Sequence, residues 1–323
     1  MTKAIRIHRP GGPEAMRWEE AAVGDPGPGE VRIRQTAVGV NFIDVYHRTG
    51  AYPVPVPFTL GMEGAGVVEA LGAGVSGLAP GDRVAYTGMP IGSYAEARLY
   101  PAEKLVKVPA GIDDRIAASI MLKGMTAWYL VKRSHVVKPG DTVLVHAAAG
   151  GVGQILCQWA SRLGATVIGT VGSDEKAELA KAHGCAHAIV YTREDFVARV
   201  KEITGGKGVA AAYDGVGKTT FQGSFDSLAP RGHVVLFGFA SGPPDPVDLR
   251  MLGQKSATVS RPSLFHFIGT RPELEEASSD LFSVIASGAV RIETPTPYAL
   301  ADAAKAHADL EARKTTGALV LVP

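Results

Sequence analysis

Apolar positions along the chain follow two rhythms, and the change between them lies near residue 121. Before it, short apolar or alternating runs such as 31–40 (VRIRQTAVGV) and 64–72 (GAGVVEALG) are cut by Gly and Pro, as at Pro26-Gly27-Pro28-Gly29 and Pro80-Gly81-Asp82. Short strands joined by turns predict a small barrel or sandwich. Residues 52–58 read Tyr-Pro-Val-Pro-Val-Pro-Phe. Three prolines remove backbone donors and fix φ, so this stretch is expected to be a rigid surface loop. After residue 121, strand patterns at 142–147, 165–171, 187–191, 209–214, 233–238 and 257–260 alternate with mostly helical patterns. Val152, Ile155, Leu156, Trp159 and Leu163 line one face of such a helix. This alternation predicts a parallel sheet with helices on both faces. Past residue 262 it weakens; helical stretches at 272–287 and 299–312 precede a last strand at 317–322.

Composition narrows the class. The length of 323 residues suits about two domains. Lys and Arg total 33 against 32 Asp and Glu, with no basic stripe in the sequence, which argues against a dedicated nucleic-acid binder. Two cysteines, Cys157 and Cys185, cannot build a disulfide framework or a four-Cys zinc site. No stretch has the length and hydropathy of a membrane span or a signal core. A soluble protein of a reducing compartment, the cytoplasm, is the expectation.

The most informative local signal is a strand pattern at 142–147 running into Ala148-Ala149-Gly150-Gly151-Val152-Gly153 and then a helix. Strand, Gly-rich turn and helix is the context of a dinucleotide fingerprint, although Ala148 replaces its first Gly. Gly150 and Gly151 let backbone approach a pyrophosphate, and the helix N-terminus offers unpaired N–H groups. Gly153 lets helix and strand pack closely. The next strand ends Gly169-Thr170-Val171-Gly172-Ser173, without the carboxylate that binds the ribose 2′-hydroxyl of NAD. Lys176 follows within reach of a 2′-phosphate, and Tyr191 ends the third strand beside it. An absent acid and a nearby cation favour NADP.

These residues, with Gly39-Val-Asn-Phe-Ile-Asp-Val-Tyr46, Gly61-Met-Glu-Gly-Ala-Gly66, Leu122-Lys-Gly-Met-Thr126 and Phe237-Gly238, give the chain a resemblance over its whole length. It resembles the quinone oxidoreductase (zeta-crystallin-like) branch of the medium-chain dehydrogenase/reductase superfamily. The resemblance implies a GroES-like β-rich catalytic domain made of residues 1–122 and 263–323. A doubly wound Rossmann domain for NADPH, residues 123–262, is inserted between them. It implies a homodimer with the cofactor in a cleft. Ala149, Gly150, Gly151, Val152 and Gly153 would hold the pyrophosphate. Gly172, Ser173, Lys176 and Tyr191, with Arg313, would hold the 2′-phosphate. Gly238, Phe239, Ala240 and Ser241 would approach the nicotinamide half; some relatives have an Asn in this segment, which puts the polar contact there in question. Asn41, Tyr46, Tyr52, Lys123 and Thr126 would line the catalytic cleft, with Asn41, Lys123 and Thr126 also on the cofactor.

The zinc alcohol dehydrogenases of the superfamily place a Cys where this chain has Asn41 and a His where it has Met62. Amide and thioether do not supply what catalytic zinc demands, and the four-Cys lobe is missing as well, so no metal site is expected. Glu63 remains, but one carboxylate is not a site. Without a Lewis acid, the remaining chemistry is hydride transfer to an electron-poor quinone. Asn41 or Tyr46 would donate to the oxygen that gains charge, and Tyr52 would wall the pocket. An enone or alkenal reductase is the enzymatic alternative, and an NADPH-binding structural or RNA-binding protein the other. His146 is expected to be a satisfied core histidine, Cys157 a core hydrophobe, Cys185 exposed and His47 on the surface.

Overall fold

In a computed structural model of the chain, residues 2–323 are described. They form two compact units: one runs to Leu122 and adds Thr270–Ser278 and Glu293–Pro323, and the other comprises Lys123–Gly269 and Ser279–Ile292.

The first unit begins with β1 (Thr2–Ile7), β2 (Met16–Ala21) and β3 (Glu30–Val40), followed by α1 (Phe42–Thr49). Then come β4 (Phe58–Thr59), β5 (Glu63–Leu71), β6 (Arg83–Thr87), β7 (Ala97–Pro101), β8 (Val106–Lys107) and the start of α2 (Asp114–Tyr129). The alternation in β3 sends Val31 and Ile33 inward and Arg32 outward, where it pairs with Glu69 of β5 at 3.1 Å. Residues 52–57 carry no strand or helix, as the prolines require.

The second unit contains β9 (Thr142–Val145), α3 (Gly151–Arg162), β10 (Thr166–Val171), α4 (Asp174–Ala182), β11 (His187–Val190) and α5 (Phe196–Ile203). It continues with β12 (Val209–Asp214), α6 (Phe221–Asp226), β13 (Leu228–Leu236), a short α7 (Arg250–Gly253) and β14 (Thr258–Ser260). The six strands are parallel, in the order β11-β10-β9-β12-β13-β14. This is the doubly wound order, and it reverses direction at β9 and β12, where ligands bind at the carboxyl ends of the strands. Strands β9, β10 and β12 are almost continuously apolar and buried, because helices cover both faces of such a sheet.

Helix α8 (Arg271–Ala286), β15 (Thr296–Ala299), α9 (Ala303–Glu311) and β16 (Leu319–Val322) complete the chain. Strand β16 lies antiparallel to β3, with Leu319 opposite Val40, within a seven-stranded sheet. Ile5, Ile7, Val38 and Leu60 therefore share one buried core with Leu300, Ala303 and Leu321, so the two ends of the chain bury each other.

Three expectations need correction. The strand expected at 142–147 stops at Val145, because Ala147 turns left-handed at φ 52°. Cys185 is buried at 5% exposure, with its Sγ 3.4 Å from that of Cys157, so the turn after Gly184 points the thiol into the core. His47 is also buried, because α1 packs its last turn inward.

That last turn joins a buried polar chain in the first unit. Arg48 is 1% exposed and grips Glu311 with both terminal nitrogens at 2.9 Å. It also donates to His307 Nδ1 at 3.1 Å. Tyr94 donates its hydroxyl proton to Asp44 at 3.0 Å, so it must accept from His307 Nε2 at 2.9 Å. The imidazole is thereby fixed as the neutral Nε2–H tautomer. Burial, with the adjacent Arg48 charge, pushes its pKa from 6.5 down to about 3.

An unfolded chain takes up this proton near pH 6.5, whereas the folded one refuses it until about pH 3. Stability from this site is therefore full above pH 6.5 and lost as pH falls through that window, by roughly 5 kcal/mol. His307→Gln keeps an acceptor toward Arg48 and a donor toward Tyr94 but does not titrate. Its denaturant-unfolding free energy is expected to fall less steeply than wild type between pH 6.5 and pH 4.

Candidate active site

In the second unit, β9 delivers the chain to the point where the strand order reverses, and the Gly-rich turn begins there. Its floor is a buried hydrogen-bond chain. Asp214, at the end of β12, accepts from the Val216 and Gly217 N–H groups at 2.8 and 2.9 Å. It also accepts from the Thr220 and Ser224 hydroxyls, each at 2.8 Å. Because Ser224 gives its proton to Asp214, it accepts from His146 Nε2 at 2.9 Å. His146 Nδ1 then accepts from the Thr170 hydroxyl of β10 at 2.9 Å. Both ring nitrogens are satisfied, and burial holds the imidazole below its usual pKa range. His146 is the core histidine that was expected.

Above this floor, Gly150 N–H returns to Ala147 O at 2.8 Å, and Gln154 Nε2 holds Ala149 O at 2.9 Å. A Cβ on Gly153 would stand 2.3 Å from the Ala147 carbonyl oxygen, so no side chain fits there. Gly150 is the N-cap of α3, and the first turn of that helix carries no acid. The close backbone packing and acid-free helix N-terminus fit a dinucleotide pyrophosphate at Ala149, Gly150, Gly151, Val152 and Gly153.

The tip of β10 has a different character. Ser173 is the N-cap of α4, and its hydroxyl accepts from the Lys176 N–H at 3.3 Å. A Cβ on Gly172 would lie 3.0 Å from the Tyr191 hydroxyl, which places that phenol at the tip. Gly172, Ser173, Lys176 and Tyr191 thus come together, as the sequence suggested. Arg313 belongs to the other unit, in a left-handed conformation just past α9.

Beyond β13, the segment from Gly238 to Ser241 runs along the turn after β12. Ala240 N–H donates to Gly215 O, and Ser241 N–H to Val216 O. The Ser241 hydroxyl is taken up locally by Val216 O and Thr219 N–H. Arg261 covers the Phe239 ring at 4.4 Å. Lys123 and Thr126 lie one helical turn apart on α2 and are both buried.

In the first unit, Asn41 is the N-cap of α1. Its backbone N–H donates to Asp44 at 2.9 Å, and its side-chain Nδ2 donates to Glu63 at 2.8 Å. A carboxylate offers only acceptors to this amide, which fixes the amide orientation with its nitrogen toward Glu63. Glu63 is fully buried and takes the Leu122 N–H at 2.7 Å with its other oxygen. Tyr46 and Tyr52 meet edge to face at 5.2 Å, tied by the Tyr52 N–H on Tyr46 O. Asn41, Tyr46 and Tyr52 thus belong to α1 and the loop that folds back on it. The sequence named Glu63 without a role; its partner lies twenty-two residues upstream. Among the described residues, no three His, Cys, Asp or Glu side chains gather as metal ligands. Met62 is buried, and both Glu63 oxygens are occupied by N–H donors. This donor set does not fit zinc.

Two family models match the chain: the alcohol dehydrogenase GroES-like domain over residues 27–110, and the zinc-binding dehydrogenase family over 151–283. A quinone oxidoreductase of Pseudomonas aeruginosa is 48% identical over 325 residues, covering all of both chains. A 2-haloacrylate reductase of Burkholderia is 49% identical over all of this chain and 99% of its own. The solved structure of Escherichia coli quinone oxidoreductase complexed with NADPH superimposes with a TM-score of 0.97 at 46% identity, covering 99% of this chain and all of that one. With its GroES-like unit and Rossmann sheet, and with relatives of this similarity over its whole length, the chain belongs to the quinone oxidoreductase family of the medium-chain dehydrogenase/reductase superfamily.

Proposed function

We propose that the chain is an NADPH-dependent quinone reductase that transfers hydride without a metal. The observation that carries this reading is the Asn41–Glu63 pair. An amide held by a buried carboxylate stands where the zinc enzymes of the superfamily place a thiolate. The full-length likeness to quinone oxidoreductases supports it.

NADPH, when bound, supplies the hydride. The chain's own residues hold and orient it. The turn from Ala149 to Gly153 takes the pyrophosphate with backbone N–H groups. Gly172, Ser173, Lys176 and Tyr191 take the 2′-phosphate. Lys123, Thr126 and the segment from Gly238 to Ser241 serve the nicotinamide half. Glu63 fixes the Asn41 amide, so its rotation is settled before any substrate arrives. The quinone oxygen gains negative charge as hydride arrives, and a preorganised donor there is worth roughly 3–4 kcal/mol. Tyr46 supplies such a donor, and the remaining Asn41 N–H a second. Tyr52, packed on Tyr46, walls the pocket.

A second reading, reduction of an activated C=C bond, is favoured by the likeness to 2-haloacrylate reductase. The same donors would then stabilise an enolate oxygen. For assembly, β14 leaves the hydrogen-bonding edge of the parallel sheet open, and pairing of two such edges would make a homodimer. The buried Cys157 and Cys185 thiols, joined by a hydrogen bond at 3.4 Å, suit the reducing cytoplasm. No helix among the described residues is long and apolar enough to cross a membrane.

Chelator-treated protein is expected to oxidise NADPH with 1,2- and 1,4-quinones at an undiminished rate; turnover with enones alone would replace the substrate class. The double variant Asn41→Ala/Tyr46→Phe should lose about a hundredfold in kcat with every quinone that wild type reduces. Unchanged turnover would remove both residues from the chemistry. Lys176→Ala should raise the KM for NADPH by about tenfold and leave that for NADH alone.

A further inference from the structure

One charged pair at the β10 tip is unused by the cofactor reading. Asp174 opens α4 directly after Ser173. Arg193 engages both of its carboxylate oxygens, Nη1 with Oδ2 at 2.7 Å and Nη2 with Oδ1. Arg193 arrives from the segment just past β11, two residues beyond Tyr191. Thr192, between them, donates its hydroxyl to Gly172 O at 3.4 Å, so residues 191–193 lie against the tip itself. The hydrogen bonds from Arg193 hold the Asp174 carboxyl below its usual range.

Both side chains are well exposed, at 58% and 71%. Such a pair contributes little to folding stability. Its position gives it a different consequence. A carboxylate at the end of the second strand selects the ribose 2′-hydroxyl, and its charge disfavours a 2′-phosphate. Asp174 is three residues past the end of β10, in the first turn of α4 beside Ser173, and its charge acts on the same tip. Glu194, the neighbouring acid on the same segment, is turned away to the Val190 N–H and Arg199.

We propose that Arg193 is a specificity-determining residue for NADPH over NADH: it neutralises Asp174, so that no bare Asp174 carboxylate faces the 2′-phosphate. This rests on the placement of the 2′-phosphate at Ser173, Lys176 and Tyr191 given above. With Arg193 in place, Asp174, Glu175, Lys176 and Arg193 sum to zero. Without it they sum to one negative charge, and a bare carboxylate faces the phosphate. One unit charge about 4 Å from a phosphate carrying nearly two charges, in water and physiological salt, corresponds to about a five- to tenfold change in affinity.

The test is isothermal titration of the full-length protein with NADPH, NADH and the fragment 2′,5′-ADP. Arg193→Ala is expected to weaken NADPH and 2′,5′-ADP by about five- to tenfold and NADH by less than about twofold. Arg193→Lys, which keeps the charge, should retain most of the affinity. Arg193→Ala/Asp174→Asn removes the exposed carboxylate as well and should return NADPH to within about twofold of wild type. If Lys176→Ala loses NADPH selectively while Arg193→Ala does not, this inference fails and the cofactor site stands. Failure of the double variant to recover overturns the neutralising role. If neither Lys176→Ala nor Arg193→Ala separates NADPH from NADH, the placement of the 2′-phosphate itself is wrong, and the inference falls with it.

Discussion

A carboxylate with no solvent exposure, Asp214, sits at the end of the strand beside which the parallel sheet reverses its order. A group of this kind is tolerated only when donors surround it. Here the donors are two backbone N–H groups of the turn after β12 and two hydroxyls of the following segment. Meeting that demand shapes the region. Ser224 has given its proton away, so it turns His146 into a donor, and His146 in turn recruits Thr170. The carboxyl ends of β9, β10 and β12 are tied together by a chain in which each proton has one assignment. The Gly-rich turn begins on the residue after this histidine, so its position is inherited from the buried acid.

The first unit solves a similar problem by the same means. Asp44, buried at the start of α1, takes the Asn41 N–H and the Tyr94 hydroxyl, and a neutral histidine passes the constraint on to Arg48 and Glu311. Helix α1 is therefore pinned at both ends: at its N-cap by Asp44 and Glu63, and in its last turn by α9. Two residues assigned to chemistry, Asn41 and Tyr46, lie on or just before this helix. A site on a rigid element holds its donors more closely than one on a loop. Tyr52 borrows the same rigidity through its backbone bond to Tyr46.

What the sequence made legible was local. Apolar runs bounded by Gly and Pro located β3, β5 and the six parallel strands. The Gly150-Gly151-Val152-Gly153 turn was readable because strand, turn and helix are contiguous. Asn41, Tyr46 and Tyr52 were named as cleft residues through the family resemblance, while the rotation of the Asn41 amide was not readable. That rotation depends on Glu63, which reaches it across two strands of a sheet whose register no local pattern specifies. The Arg48–His307 contact spans 259 positions. Cys185 was misjudged for the same reason: Gly184 signals a turn, but only α3 packing beside it decides that the thiol points inward. His47 follows Tyr46 on a short helix, and its burial depends on neighbours outside that helix.

On the proposed reading, the Asn41–Glu63 pair also limits what the site can reduce. A divalent cation stabilises a forming alkoxide with full charges, which lets zinc enzymes of this superfamily work on simple alcohols and aldehydes. An amide N–H and a phenol offer dipoles, each worth roughly 3–4 kcal/mol when preorganised. Glu63 cannot add to this, since it is itself an acceptor occupied by Asn41 and the Leu122 N–H. The remaining stabilisation has to come from the substrate. A quinone spreads the incoming charge over a ring that becomes aromatic, and an activated alkene spreads it over a conjugated oxygen. A simple ketone does neither. On the proposed reading, the amide at position 41 ties the metal-free donor set and a preference for electron-poor acceptors to one physical argument.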